Sequence, residues 1–270
     1  MAITTADGIV AGFLAGGAPI FVNKGVTAST VAMRMYSTWR TNGSPSPGTT
    51  SAGAVYDSTS NMVEGQIPFR YPSNGKCYLG RALLTGSVTA QSTFLVDRIF
   101  SANITATSVA LQPITAVALP PRDDNGASDG VGYLVGAEVH TAMGAATPTI
   151  SVGYTNSDGV AGRFGSNVHP TASGAAIGAF YPISLQGADK GVRQLDSVQL
   201  SASWLSGGVA LVVYRILASL PIGAIGGPSE INPITGDMPE LYQGTVPFLL
   251  HINLTGGTSN VEGVIQYLHG

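Results

Sequence analysis

The chain has 270 residues, a single cysteine and a formal net charge of −3. This length suits one large or two small domains, with a core big enough to need no staples, and a lone Cys77 excludes an intrachain disulfide. Only 10% of the residues are charged and the 12 Lys and Arg are scattered singly, which excludes a phosphate-tracking face for nucleic acid and a polybasic membrane patch.

The opening Thr4–Gly17 stretch, TTADGIVAGFLAGG, predicts a short helix. Thr4 or Thr5 caps it, Asp7 complements the first-turn dipole and Gly16-Gly17 stops it. Ile9 and Phe13, with Val10 and Leu14, make an apolar stripe for docking; the polar face has no Lys or Arg to suit a membrane surface. Residues 26–39 then alternate moderately, and the Gly-, Pro-, Ser- and Thr-rich Thr41–Gly53 is a loop. Lys76–Val88 and Ser92–Ala102 read as strands that pair with each other.

Ala118–Gly132, ALPPRDDNGASDGVG, is the strongest boundary signal. Beyond it six strand patterns recur at the spacing of a sandwich or barrel: 131–141, 147–156, 160–169, 177–186, 192–203 and 208–217. Asn156-Ser157-Asp158-Gly159 joins two of them, and Asp-Gly there is turn chemistry. Gly187–Gly191 reads likewise as a turn carrying Asp189 and Lys190. From Ala218 the pattern changes: four prolines and little periodicity describe an extended strap, followed by two strands, 245–256 and 260–269, read as a terminal hairpin. Its partners are expected among the N-terminal strands. The resulting expectation is an all-β chain, a β-sandwich of jelly-roll type with one short N-terminal helix. It divides into an N-terminal domain (1–120), a boundary turn (121–130), an antiparallel sandwich (131–217) and a strap with hairpin (218–270). The uncharged stretches Gly8–Asn23, Ile99–Pro121 and Ser197–Tyr214 carry too many polar, Pro or Gly residues to read as spans.

Chemistry-bearing motifs are missing from the sequence. The four histidines have no ligand spacing, Walker A and C-x-x-C are absent, and there is no G-x-S-x-G elbow between a strand and a helix. Of the 15 acids, six fall in turns: Asp123, Asp124, Asp129, Asp158, Asp189 and Asp237. Asp123, Asn125 and Asp129 offer hard oxygens, but the EF-hand spacing fails, so a polar turn is the reading. Asp97, Glu138 and Asp196 lie in strands, facing outward or paired with Arg98 and Arg193. His140 and His251 are expected on solvent or interface faces, and Cys77 in the core. No catalytic, cofactor or metal residue is expected, and no enzyme.

The segments YTNSDGVAGR (154–163), YPISLQGADKGVRQLDSVQLSAS (181–203) and LVVYRILASLPI (211–222), with the opening MAITTADGIVAGFLAGG and WRTNGSPSPG (39–48), resemble structural proteins of tailed bacteriophages. The similar proteins are capsid-associated decoration, cement or head-fibre components. The resemblance implies a place in the virion, synthesis in the host cytoplasm, and the major capsid protein or other virion proteins as partners. A homo-oligomer is expected, a trimer by analogy. Leu220, Ile222, Ile225, Ile231 and Ile234 of the strap are the residues expected to lie across a partner. The alternative is a tail or fibre component binding a host-surface glycan or receptor through Trp39, Trp204, Tyr36 and Tyr133, whose other reading is core packing. A glycan hydrolase would need two carboxylates facing one cleft.

Overall fold

The computed structural model describes residues 5–25, 31–49, 53–87, 91–236, 238–254 and 257–270. Thr4 as an alternative cap, residues 26–30 of the first alternating stretch, residues 50–52 of the long loop, Val88 and Asp237 lie outside the described residues.

Helix α1 covers Ala6–Gly16. Thr5 caps it with extended backbone, its Oγ1 accepting the N–H of Gly8 at 3.0 Å. The strands that follow among the described residues are β1 Ile20–Gly25, β2 Arg34–Ser37, β3 Gly43–Ser44, β4 Ala54–Val55, β5 Cys77–Gly86, β6 Gln91–Ile104, β7 Gln112–Pro113, β8 Tyr133–Thr141 and β9 Ile150–Asn156. Next come β10 Arg163–Asn167, β11 Ala179–Ser184, β12 Val192–Leu200, β13 Gly208–Ile222, β14 Ser229–Ile231, β15 Glu240–Leu241, β16 Pro247–Asn253 and β17 Asn260–His269. The chain is all-β with one short N-terminal helix, as its alternating patterns require.

The centre is a closed antiparallel barrel. Strand β2 pairs with β16, β16 with β6, β6 with β13, β13 with β8, β8 with β11, and β11 returns to β2. Closure leaves the ring without an edge. Alternate residues point inside: Val96, Val212, Tyr214, Phe180, Phe248 and Leu250 pack there around Trp39 and Tyr56. The residues between them point out and make two further cores.

On one side β11 continues into β10, β9, β12 and β7, and this sheet folds back over the barrel wall. Val135, Val139, Leu211 and Val213 of the wall pack against Val152, Tyr154, Leu195 and Val198. This is the sandwich expected from the alternating run, with all six of its strands present. On the other side lies a terminal sheet ordered β14-β5-β17-β1-β3, with β15 also on β5. Its Leu79, Leu84, Val261 and Ile265 pack against Leu95, Leu217, Leu220, Ile222 and Leu249.

Several long-range expectations are corrected here. Strands β5 and β6 do not pair edge to edge; β5 joins β17 and β6 joins β13 and β16. Their apolar faces meet instead across the core, where Leu95 packs in one cluster with Leu79 and Leu84. The last two strands are not a hairpin: β16 enters the barrel and β17 lies between β1 and β5. Both do pair with N-terminal strands, as expected. The limit expected at 217/218 falls inside β13, which runs unbroken to Ile222. Leu220 and Ile222 are therefore buried core residues of β13 and are withheld from any partner. Burial of each such side chain stabilises by about 1.5–3 kcal/mol.

Candidate functional site

The ionisable groups of the interior serve the scaffold. Inside the barrel the Arg98 guanidinium donates two bonds to Glu138, at 3.1 and 2.8 Å, and both side chains are fully buried. Trp39, Tyr56 and Phe248 enclose the same guanidinium, with ring centroids 4.6, 5.0 and 5.5 Å from it. Burial opposes ionisation of Glu138, but Arg98 beside it outweighs this and holds the carboxyl below its ordinary range. Outside the barrel wall, Asp97 lies 3.3 Å from Arg122 and accepts the Val246 N–H at 2.7 Å. Burial pushes its carboxyl above the usual range, against the pull of Arg122 and Arg215.

The acidic turns resolve in the same way. Buried Asp123 accepts the backbone N–H groups of Asn125, Ala127, Gly130 and Val131, so both its oxygens are occupied in folding the Ala118–Gly132 turn. Asp158 is exposed at the β9–β10 turn, where Gly159 takes φ +80° and Asn156 Oδ1 accepts from Asp158 and Val160. Asp189 does more than turn the chain: Arg163 pairs with it through Nε and Nη2 at 2.9 and 3.0 Å, and Tyr154 and Asn156 also donate to it. These donors, Arg163 foremost, hold its carboxyl down to about 2. Among the described residues no group of three or more His, Cys, Asp or Glu is placed to hold a metal ion.

Cys77 is buried, and burial pushes its thiol up to about 12. His251, expected on an outer face, is fully buried against Ser259 Oγ at 2.8 Å, and burial lowers its imidazole to about 4. Trp39, Trp204, Tyr36 and Tyr133 are all buried, so none of the four presents a surface to a glycan. Of the remaining strap residues, Ile231 is half-buried in β14 against the core, whereas Ile225 and Ile234 are exposed.

Two surface features stand out instead. The first is the outer face of the terminal sheet. Helix α1 lies on it through Gly12 and Gly16: a Cβ on Gly16 would sit 2.0 Å from the Tyr267 carbonyl oxygen, and one on Gly12 within 2.9 Å of Leu268 and the His269 carbonyl. Phe13 lies over Gly80, where a Cβ would meet its ring at 2.6 Å. The opposite side of α1 is apolar too, yet Val10 is 60% and Leu14 80% exposed. Beside it Phe21, 56% exposed, stands in register with Val264, which stands in register with Leu83. An apolar row thus crosses β1, β17 and β5. A helix that is apolar all round is normally buried all round. The signal was legible in the helix sequence, in Val10 and Leu14; the row across three strands was not, because it depends on register.

The second feature is a polar groove between the 57–75 segment and the 242–244 turn. It consists of two clefts, of about 690 and 440 Å3, which share Thr59, Tyr71 and Gln243. Hydroxyl and amide side chains dominate the larger one; Asp57, Tyr242, two prolines and Arg122 line the smaller one. Arg122 is fully buried, donates from Nη2 to the Tyr56 carbonyl at 2.9 Å, and has no hydrogen-bond partner for Nη1 among the described residues. Gly244, at φ +82°, keeps this floor open: a Cβ there would lie 2.4 Å from Asp57 Oδ1 and 3.0 Å from Arg122 Nη1. Sequence reasoning missed the groove, since its residues come from distant segments that carry only turn signals.

Compared with family models and with curated proteins, the sequence finds no match. Weak structural neighbours are a carbohydrate-binding module and a viral capsid protein. The family 11 carbohydrate-binding module of a cellulosomal cellulase of Clostridium thermocellum is 11% identical, covering 66% of this chain and 98% of the module at a TM-score of 0.22. The VP2 subviral particle of infectious bursal disease virus is 10% identical, covering 93% of this chain and 80% of its own at a TM-score of 0.20. The T=1 particles derived from that virus give 11% identity, 93% and 77% coverage, and a TM-score of 0.20. Overlaps this loose define no shared fold.

Proposed function

We propose that this chain is a non-enzymatic structural component of a tailed-bacteriophage virion, a decoration or cement protein that docks on the capsid shell. The observation that carries this reading is the uncovered apolar face of α1 and β1, centred on Leu14, Val10 and Phe21. Burying it on a neighbour removes apolar surface from water at about 25 cal/mol per Å2, before ordering costs. A charge-poor composition supports the reading, since few ions must be desolvated on docking. The resemblance of the Tyr154–Ile222 segments to virion proteins points the same way. Ile225 stands exposed in the loop before β14 and belongs with the docking residues; Leu220 and Ile222 do not.

The test is co-sedimentation of the purified protein with empty shells of the parent phage. Saturable binding is expected, with loss of at least tenfold in affinity for Leu14→Asp and for Phe21→Asp at unchanged thermal stability. Wild-type protein that stays in the supernatant at saturating shell concentration would sink the reading.

A further inference from the structure

We propose that the groove between the 57–75 segment and the 242–244 turn is a binding site for a neutral oligosaccharide. The inference is independent of the docking face, which lies on other residues.

The chemistry of the groove selects the ligand. A sugar chain presents hydroxyl donors and acceptors along both edges and C–H faces on its rings. Hydroxyl and amide side chains such as Thr59, Asn74 and Gln243 can donate and accept at once, which matches such edges. Tyr71 borders both clefts and supplies an aromatic body with a polar tip, the kind of side chain that accepts a C–H face. At the floor of the smaller cleft the Asp57 carboxylate offers an acceptor, and Gly244 leaves it uncovered, since a Cβ there would lie 2.4 Å from Oδ1. Asp57 Oδ1 accepts from the Thr59 amide and hydroxyl, which holds the carboxylate in place and leaves Oδ2 as the acceptor for a ligand. Arg122 is offset by Asp97 at 3.3 Å, and the exposed Arg70 of the larger cleft is balanced by Asp57 of the smaller one, so the groove as a whole carries no net charge. The two clefts adjoin through shared residues, which fits a chain of several rings better than a single one.

The experiment is a printed array of neutral and anionic oligosaccharides probed with the full chain, followed by calorimetric titration of the best neutral binder. Binding to neutral oligosaccharides is expected, with weaker binding of the matching monosaccharide. Tyr71→Ala is expected to weaken it at least tenfold and Gln243→Ala severalfold; Gln243 is exposed, and since Tyr71 is half-buried beside Phe69, an unchanged thermal transition of the Tyr71→Ala protein is the check that the fold stays intact. Amide shift mapping with the same sugar is expected to perturb residues 57–75 and 242–244. Overturning results are an array without neutral binders, binding confined to anionic sugars, binding indifferent to Tyr71→Ala, or shifts that map elsewhere.

Discussion

Arg98 and Glu138 stand out among the residues because two full charges are sealed inside a barrel of aromatic and aliphatic side chains. A buried ion pair gains little net stability over a well-packed apolar pair, yet removal of one partner strands a charge. Glu138→Gln or Arg98→Met is therefore expected to destabilise the protein by about 3–5 kcal/mol in denaturant unfolding, and the double replacement Arg98→Met with Glu138→Leu to recover most of the loss. A double variant as unstable as the worse single one would mean that the pair's hydrogen bonds and the enclosing rings, and not charge balance, set its worth. The pairing itself is partly legible: Asp97, Glu138 and Asp196 read as strand acids that face outward or pair, with Arg98 and Arg193 as the partners near in sequence. That Arg98 and Glu138 meet across the inside of a barrel is not, because alternation says which side chains share a face and not which face is enclosed.

At the scale of elements, α1 shows how local and tertiary information divide. Thr5, Asp7 and Gly16-Gly17 mark its ends in the sequence, and the helix begins and ends there. Its docking surface is a different matter. The side of contact is set by two glycines, and Gly16 lies so near the Tyr267 backbone that no side chain fits. Gly16→Ala is expected to lift α1 from β17. Limited proteolysis should then cleave the N-terminal segment at least tenfold faster, while the barrel's near-ultraviolet dichroism stays unchanged. Equal cleavage rates would show that the helix is held by Phe13 on Gly80 alone. The β9–β10 turn is the opposite case: Asn156 to Gly159 specify it locally, and the observed bonds are those that the residue types demand. The terminal strands lay beyond such reasoning. Residues 245–256 and 260–269 read as a hairpin because they are adjacent and alternating, but each finds better-matched partners far away in sequence.

For the whole molecule, closure of the barrel is the governing fact. It draws β2 and β6 from before the Ala118–Gly132 turn, β8, β11 and β13 from after it, and β16 from near the end of the chain. The 131–217 segment thus holds its sandwich strands but only part of the ring on which they pack. Expressed alone, it is expected to lack a cooperative thermal transition and to show poor amide dispersion, whereas the full chain unfolds in one transition. A fragment that melts cooperatively would show that the β8–β13 layer is an independent domain.

The sequence by itself determined that the chain is all-β with one capped helix, where its main turns lie and that it is poor in charge. These are properties of short windows, in which alternation, turn chemistry and caps act between near neighbours. Only the tertiary structure decided which strands pair, that six of them close a ring, that Leu220 and Ile222 are core, and that Phe21, Val264 and Leu83 line up beside an exposed helix face. Those outcomes rest on contacts between segments far apart in the chain, where many strands of similar composition compete and the best joint burial of apolar surface selects among them.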